Sequence, residues 1–131
     1  MGEEAITHLK ILIVDDEESI RRLLSQFLIE MGNECDTAIN GQMGFIKVVE
    51  SHYDFILMDI RMPNMNGIEC IKAIRQVDPD IPILIITAFS SEEEVKTGLE
   101  NGANGIIRKP FDFKELIRLM TEILKDCRLR E

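Results

Sequence analysis

Five short apolar runs alternate with amphipathic stretches from one end of this chain to the other. That alternation constrains the fold more than any other feature. The runs are Lys10 to Val14, Cys35 to Ile39, Phe55 to Met58, Ile83 to Ile86 and Asn104 to Arg108. Phe55 to Met58 and Ile83 to Ile86 are apolar at every position, as a strand is when helices cover both faces of its sheet. Between the runs, apolar residues recur at helical spacing. Ile20, Leu23, Leu24, Phe27, Leu28 and Met31 form one such face, which Gly32-Asn33 ends. Asn40-Gly41 leads into a second helix carrying Phe45, Ile46, Val48 and Val49. Ile68, Ile71 and Ile74 mark a third, which stops before Asp78-Pro79-Asp80.

Ser90 with Glu93 and Ser91 with Glu94 are two overlapping capping boxes that open a fourth helix. Thr97 and Gly98 weaken its interior, so it is expected to be mobile. Asn101-Gly102 ends it. Leu116, Ile117, Met120, Ile123, Leu124 and Cys127 share one face of a fifth. Strands alternating with helices mean parallel βα units with right-handed crossovers, an α/β fold doubly wound around one sheet. The pattern alone leaves the strand order open.

The 131 residues suit one domain, 1–131, with its core at about 9–126. A formal net charge of −9 argues against direct nucleic-acid binding, which needs a basic footprint, and against docking on anionic lipid. Cys35, Cys70 and Cys127 fit neither a disulfide framework nor a zinc spacing, and read as small buried hydrophobes in a reducing compartment. No apolar stretch is long enough to span a bilayer. The acidic start lacks a signal-peptide core, and Ile6 stands where myristoylation needs Ser or Thr. A cytoplasmic location is expected.

The polar residues that follow the apolar runs carry the chemistry. Asp15-Asp16, Asp59, Thr87 and Lys109 all fall at C-terminal strand ends. In a parallel sheet those ends share one rim, where open α/β sheets place their ligands. Three carboxylates so close cannot all stay ionised without a cation. Hard oxygen donors suit Mg²⁺. Lys109 adds one positive charge and Thr87 one hydroxyl, so three carboxylates balance Mg²⁺ and one ammonium. A phosphoryl group would upset that balance and need hydroxyl and N–H donors. Each residue alone has a plainer reading, as a helix cap, a turn former or a solvated charge. Their occurrence together, one strand end after another, is specific.

The chain resembles a response-regulator receiver domain, the phosphoacceptor module of two-component signalling. The resemblance runs from about Leu9 to about Leu124. It rests on Val14-Asp15-Asp16-Glu17, on Met58-Asp59-Ile60-Arg61-Met62-Pro63-Asn64-Met65-Asn66-Gly67, on Thr87-Ala88, and on Gly102-Ala103-Asn104-Gly105 leading to Lys109-Pro110-Phe111. It implies a flavodoxin-like sheet of order 2-1-3-4-5. It also implies that Asp59 takes a phosphoryl group from a histidine kinase or phosphotransfer protein. Asp16 and Asp59 would bind Mg²⁺ directly, Asp15 mainly through water, and Arg61 through its backbone carbonyl. Thr87, Ala88, Lys109 and Arg61 would hold the phosphoryl oxygens, and the Lys109–Pro110 bond would be cis. The fourth helix, fifth strand and fifth helix would form the output surface, with a phosphorylation-dependent homodimer as one use of it. The signal would pass to a protein target or to an output domain outside this chain. Beyond self-phosphorylation from phosphodonors and self-dephosphorylation, no enzyme activity is implied.

One position departs from the family. Receivers typically place an aromatic switch residue on the fifth strand, and Ile106 stands at that position, so a smaller or differently routed change is expected. Phe89 lies two residues after Thr87, as Arg61 does after Asp59, and its bulk is expected to slow hydrolysis. Two other functions compete. A degenerate receiver would only bind partners, but all five site residues are present. A haloacid-dehalogenase-like phosphatase wants an acidic residue two positions after its nucleophile, where this chain has Arg61.

Overall fold

The computed structural model describes residues 6–62, 65–88 and 91–129. Ten elements alternate: β1 (Lys10–Val14), α1 (Glu18–Glu30), β2 (Glu34–Ala38), α2 (Gly41–Glu50), β3 (Phe55–Asp59), α3 (Gly67–Val77), β4 (Ile83–Thr87), α4 (Glu92–Glu100), β5 (Gly105–Arg108) and α5 (Phe113–Leu129). All pairings are parallel, and the strand order is β2-β1-β3-β4-β5. This is the flavodoxin-like order that the resemblance implied; chemotaxis receivers are the stock example of it.

Every residue of β3 and β4 is buried, as their unbroken apolar runs require. Side-chain alternation along the strands then divides the core in two. Ile11, Ile13, Phe55, Leu57, Leu84 and Ile86 face Leu24 and Leu28 of α1 and Leu116, Met120 and Ile123 of α5. Leu12, Val14, Ile56, Met58, Ile83 and Ile85 face the other way, against Cys70, Ile71 and Ile74 of α3.

The edges differ from the sequence reading. β2 starts and ends one residue earlier than expected, because Glu34 pairs with Lys10 and its N–H donates to the Leu9 carbonyl. Ile39 therefore leaves the sheet and is half-exposed. β5 starts one residue later, at Gly105. Asn104 serves as its lead-in, with Oδ1 accepting from Ile83 N–H at 2.8 Å and from Arg75 at 3.1 Å. α2 forms as expected, and the structure shows which of its apolar residues are buried. Ile46 and Val49 face solvent, and the helix seats on the sheet side through Gly44, Phe45 and Val48, while Gly41 lies against Met65 and Cys70. A Cβ on Gly44 would stand 2.9 Å from Val14 Cγ2, so only glycine lets α2 lie this close to β1.

The Ser91–Glu94 capping box forms at the start of α4, whereas the Ser90–Glu93 alternative falls outside the described residues. Gly98, read as a weak point, is buried against Ile85. Among the described residues, no helix is long and apolar enough to cross a membrane.

Candidate functional site

The sheet delivers its polar strand ends to one rim. Backbone hydrogen bonds carry the parallel ladder past the last apolar residue, which fixes these ends. Asp15 N–H donates to the Ala38 carbonyl at 3.1 Å, and Lys109 N–H to the Thr87 carbonyl at 2.8 Å. Asp59 is itself the last residue of β3, paired with Ile86 of β4. Beyond it the chain must double back at once. Gly67 N–H donates to the Ile60 carbonyl at 2.8 Å, and a Cβ at Gly67 would strike the Asp59 carbonyl. Gly67 therefore lets α3 begin directly beside the acceptor strand. In the sequence it is only the last residue of the motif around Asp59.

Asp15, Asp59 and Thr87 are buried, while Asp16 is exposed. Asp15, Asp16 and Asp59 each offer a carboxylate oxygen, and these lie within 4.8 Å of one another. Lys109 Nζ donates to Asp15 Oδ2 at 2.9 Å and to Glu17 Oε1 at 2.8 Å, and stands 3.9 Å from Asp59 Oδ2. The second oxygen of Asp15 accepts from Glu17 N–H at 2.9 Å, so both of its oxygens are engaged. Asp59 Oδ1 accepts from Arg61 N–H at 3.3 Å.

Burial, and then the charge of Asp15, pushes the Asp59 carboxyl up to about 7, against the pull of Lys109 and the Arg61 N–H. Burial works against the Lys109 charge too, but its hydrogen bonds to Glu17 and Asp15 outweigh that and hold it above its ordinary value. Fully ionised, the trio would set three negative charges against the one positive charge of Lys109. Clustered hard oxygen donors with two charges uncompensated fit a small divalent cation such as Mg²⁺.

The remaining expected site residues take up different places. Ala88 is exposed directly after Thr87. Arg61 has its backbone at the site, but its guanidinium donates to Glu94 Oε1 at 2.7 Å, at the start of α4. Ile106 is half-buried and packs with the core on the α3 side, in register with Ile85. Phe89 lies outside the described residues. The Lys109–Pro110 bond is cis. The sequence points to no role for Glu17, and for Glu94 only to the capping box with Ser91; their partners Lys109 and Arg61 lie 92 and 33 positions away.

Residues 11–121 match the response regulator receiver domain family. The response regulator ArlR of Staphylococcus aureus is 40% identical over 116 residues, which cover 88% of this chain and 52% of that protein. The chain therefore spans about half the length of this relative. The Vibrio cholerae chemotaxis protein CheY4 is 34% identical with a TM-score of 0.84, over 89% of this chain and 99% of that one. A CheX–CheY complex with BeF₃ and Mg²⁺ from Borrelia burgdorferi is 30% identical with a TM-score of 0.85, over 90% of each chain.

Proposed function

The chain belongs to the response regulator receiver domain family, and from that premise we propose that Asp59 is its phosphoacceptor. One observation supports this above the others. Asp59 is buried at the end of β3 with Asp15 and Asp16 oxygens within 4.8 Å and the Lys109 ammonium at 3.9 Å.

In the proposed step an Asp59 carboxylate oxygen forms a bond to phosphorus while the donor's bond to phosphorus breaks. The donor keeps that electron pair, and Asp59 becomes an acyl phosphate. Lys109, the Thr87 hydroxyl and the Ala88 N–H hold the phosphoryl oxygens. The Arg61 guanidinium, expected as a further donor, rests on Glu94 instead. Asp16, Asp59 and the Arg61 carbonyl would hold Mg²⁺, with Asp15, which also accepts from Lys109 and the Glu17 N–H, acting mainly through water as in the family. When bound, the ion supplies the positive charge that lets a phosphoryl group approach three carboxylates. Water later cleaves the acyl phosphate and returns the carboxylate.

The physiological donor is a histidine kinase or phosphotransfer protein. The signal leaves through α4, β5 and α5, as a population shift of those elements, to a protein target or an output domain outside this chain. The same surface can pair two phosphorylated copies. With a net charge of −9 the domain does not itself bind nucleic acid, and it works in the cytoplasm. Catalysis is confined to its own phosphorylation and dephosphorylation. A haloacid-dehalogenase-like phosphatase is disfavoured, because its acid/base position is held by Arg61, bound to Glu94.

Intact-mass spectrometry after incubation with Mg²⁺ and a small acyl-phosphate donor tests this reading. Wild type is expected to gain one phosphoryl group, and to lose that ability when the metal is chelated first. Asp59→Asn is expected to gain none. An equal adduct on Asp59→Asn would place the acceptor elsewhere.

A further inference from the structure

Glu17 occupies the N-cap of α1, yet its side chain makes no capping hydrogen bond. Ser, Thr, Asp and Asn suit that position, because a short side chain reaches the N–H groups of the first turn. The longer Glu17 carboxylate instead crosses to Lys109 Nζ at 2.8 Å. An ammonium has three N–H groups. Asp15 Oδ2, at 2.9 Å, and Glu17 take two of them, and Asp59 Oδ2 at 3.9 Å is beyond hydrogen bonding. The Glu17 side chain is 54% exposed and that of Lys109 10%, so Glu17 covers the solvent side of the ammonium.

We propose that Glu17 is a positioning residue for phosphoryl acceptance: it holds the Lys109 ammonium off Asp59 at rest and yields it to an incoming phosphoryl group. This rests on the phosphoacceptor reading of Asp59. The two partners of Lys109 are unequal. Asp15 is buried and also accepts the Glu17 N–H, so it cannot let go without leaving a buried charge unpaired. Glu17 regains water when it releases, at little cost. Its charge acts in the same direction. Asp15, Asp16 and Asp59 are balanced by Lys109 and a divalent cation, so Glu17 leaves one negative charge in excess at the mouth of the site. Both effects slow acceptance.

Two variants separate the tether from the charge. Glu17→Gln removes the charge and weakens the grip on Lys109. Glu17→Asp keeps the charge, but a short carboxylate at the N-cap bonds the first turn of α1 in place of Lys109. The rate of adduct formation with Mg²⁺ and a small acyl-phosphate donor is read by intact mass. The position of the Lys109 ammonium signal is read by ¹⁵N NMR on unphosphorylated protein. Glu17→Gln is expected to accept phosphoryl about threefold to tenfold faster, and Glu17→Asp about twofold faster. The Lys109 signal should move in both. Acceleration by Glu17→Gln alone, with the Lys109 signal unmoved in Glu17→Asp, would reduce Glu17 to a background charge and overturn the positioning role. Rates equal to wild type in both variants would overturn it as well. If wild type takes no phosphoryl group at all, the Asp59 reading fails separately. The Lys109 signal then still decides whether Glu17 places the ammonium.

Discussion

Two cations flank Asp59 and live in different surroundings. The Lys109 side chain is one-tenth exposed and is shared among Asp15, Glu17 and, at longer range, Asp59. The Arg61 side chain is more than half exposed and bonds a single carboxylate, Glu94, at the first turn of α4. One belongs to the buried rim of the sheet. The other leaves the site and ties the loop after β3 to the helix that follows β4. The contrast teaches that sequence distance from the acceptor is a poor guide to role. Lys109, 50 residues from Asp59, is fixed in the site, whereas Arg61, two residues away, faces a different element. Water explains the difference. A charge pair withdrawn from water is costly to break from one side, while a wet pair exchanges partners cheaply.

Breaking the buried side should produce the largest effects. Lys109→Ala leaves Asp15 and Asp59 facing each other without a cation. It is expected to lower stability by about 3 kcal/mol in the absence of metal, read by urea unfolding. Added Mg²⁺ should restore much of that loss.

Asp59→Asn sharpens the comparison with the opposite sign. The folded state raises the Asp59 pKa to about 7 from an ordinary 3.8, mainly through burial and then through Asp15. A raised carboxyl pKa favours the protonated form on folding. Its contribution is full below about pH 4 and is lost as pH rises to 7. In metal-free protein the substitution should therefore change little at pH 4. It should stabilise increasingly up to pH 7 and level off above, by roughly 1–3 kcal/mol. A flat difference between pH 4 and pH 8 would mean that the Asp59 charge is not penalised.

The exposed side should yield the smallest change. Glu94 Oε1 also accepts from Ser91 N–H at 3.1 Å, so Glu94→Gln loosens both the Arg61 tie and the α4 capping box. First-turn amides of α4 are expected to exchange about threefold faster, with the β3 and β4 amides unchanged. Exchange that quickens across the sheet would show that the Arg61–Glu94 pair supports the core.

Much of this was legible in the sequence, for identifiable reasons. Asp15, Asp59, Thr87 and Lys109 each follow an apolar run, so their convergence follows from parallel strands alone. The strand order came from a resemblance rather than from pattern. The helix α2 was legible but its buried face was not, because both of its faces carry apolar residues. Gly44 chooses between them by allowing contact with Val14, a matter of packing rather than of periodicity. β2 slid by one residue because an edge strand lacks the two-sided burial that pins β3 and β4. The Glu17–Lys109 and Arg61–Glu94 contacts are not legible because they exist only in three dimensions, although the capping role of Glu94 is. A glutamate where a short capping residue is normally found was the one available sign.

The most direct test of the division between the two cations is the initial rate of phosphoryl acceptance, read by intact mass in Lys109→Ala and Arg61→Ala beside wild type, with Mg²⁺ and a small acyl-phosphate donor. Lys109→Ala should fall by at least about tenfold, and Arg61→Ala should stay within about threefold of wild type. Equal losses, or a greater loss in Arg61→Ala, would contradict the account.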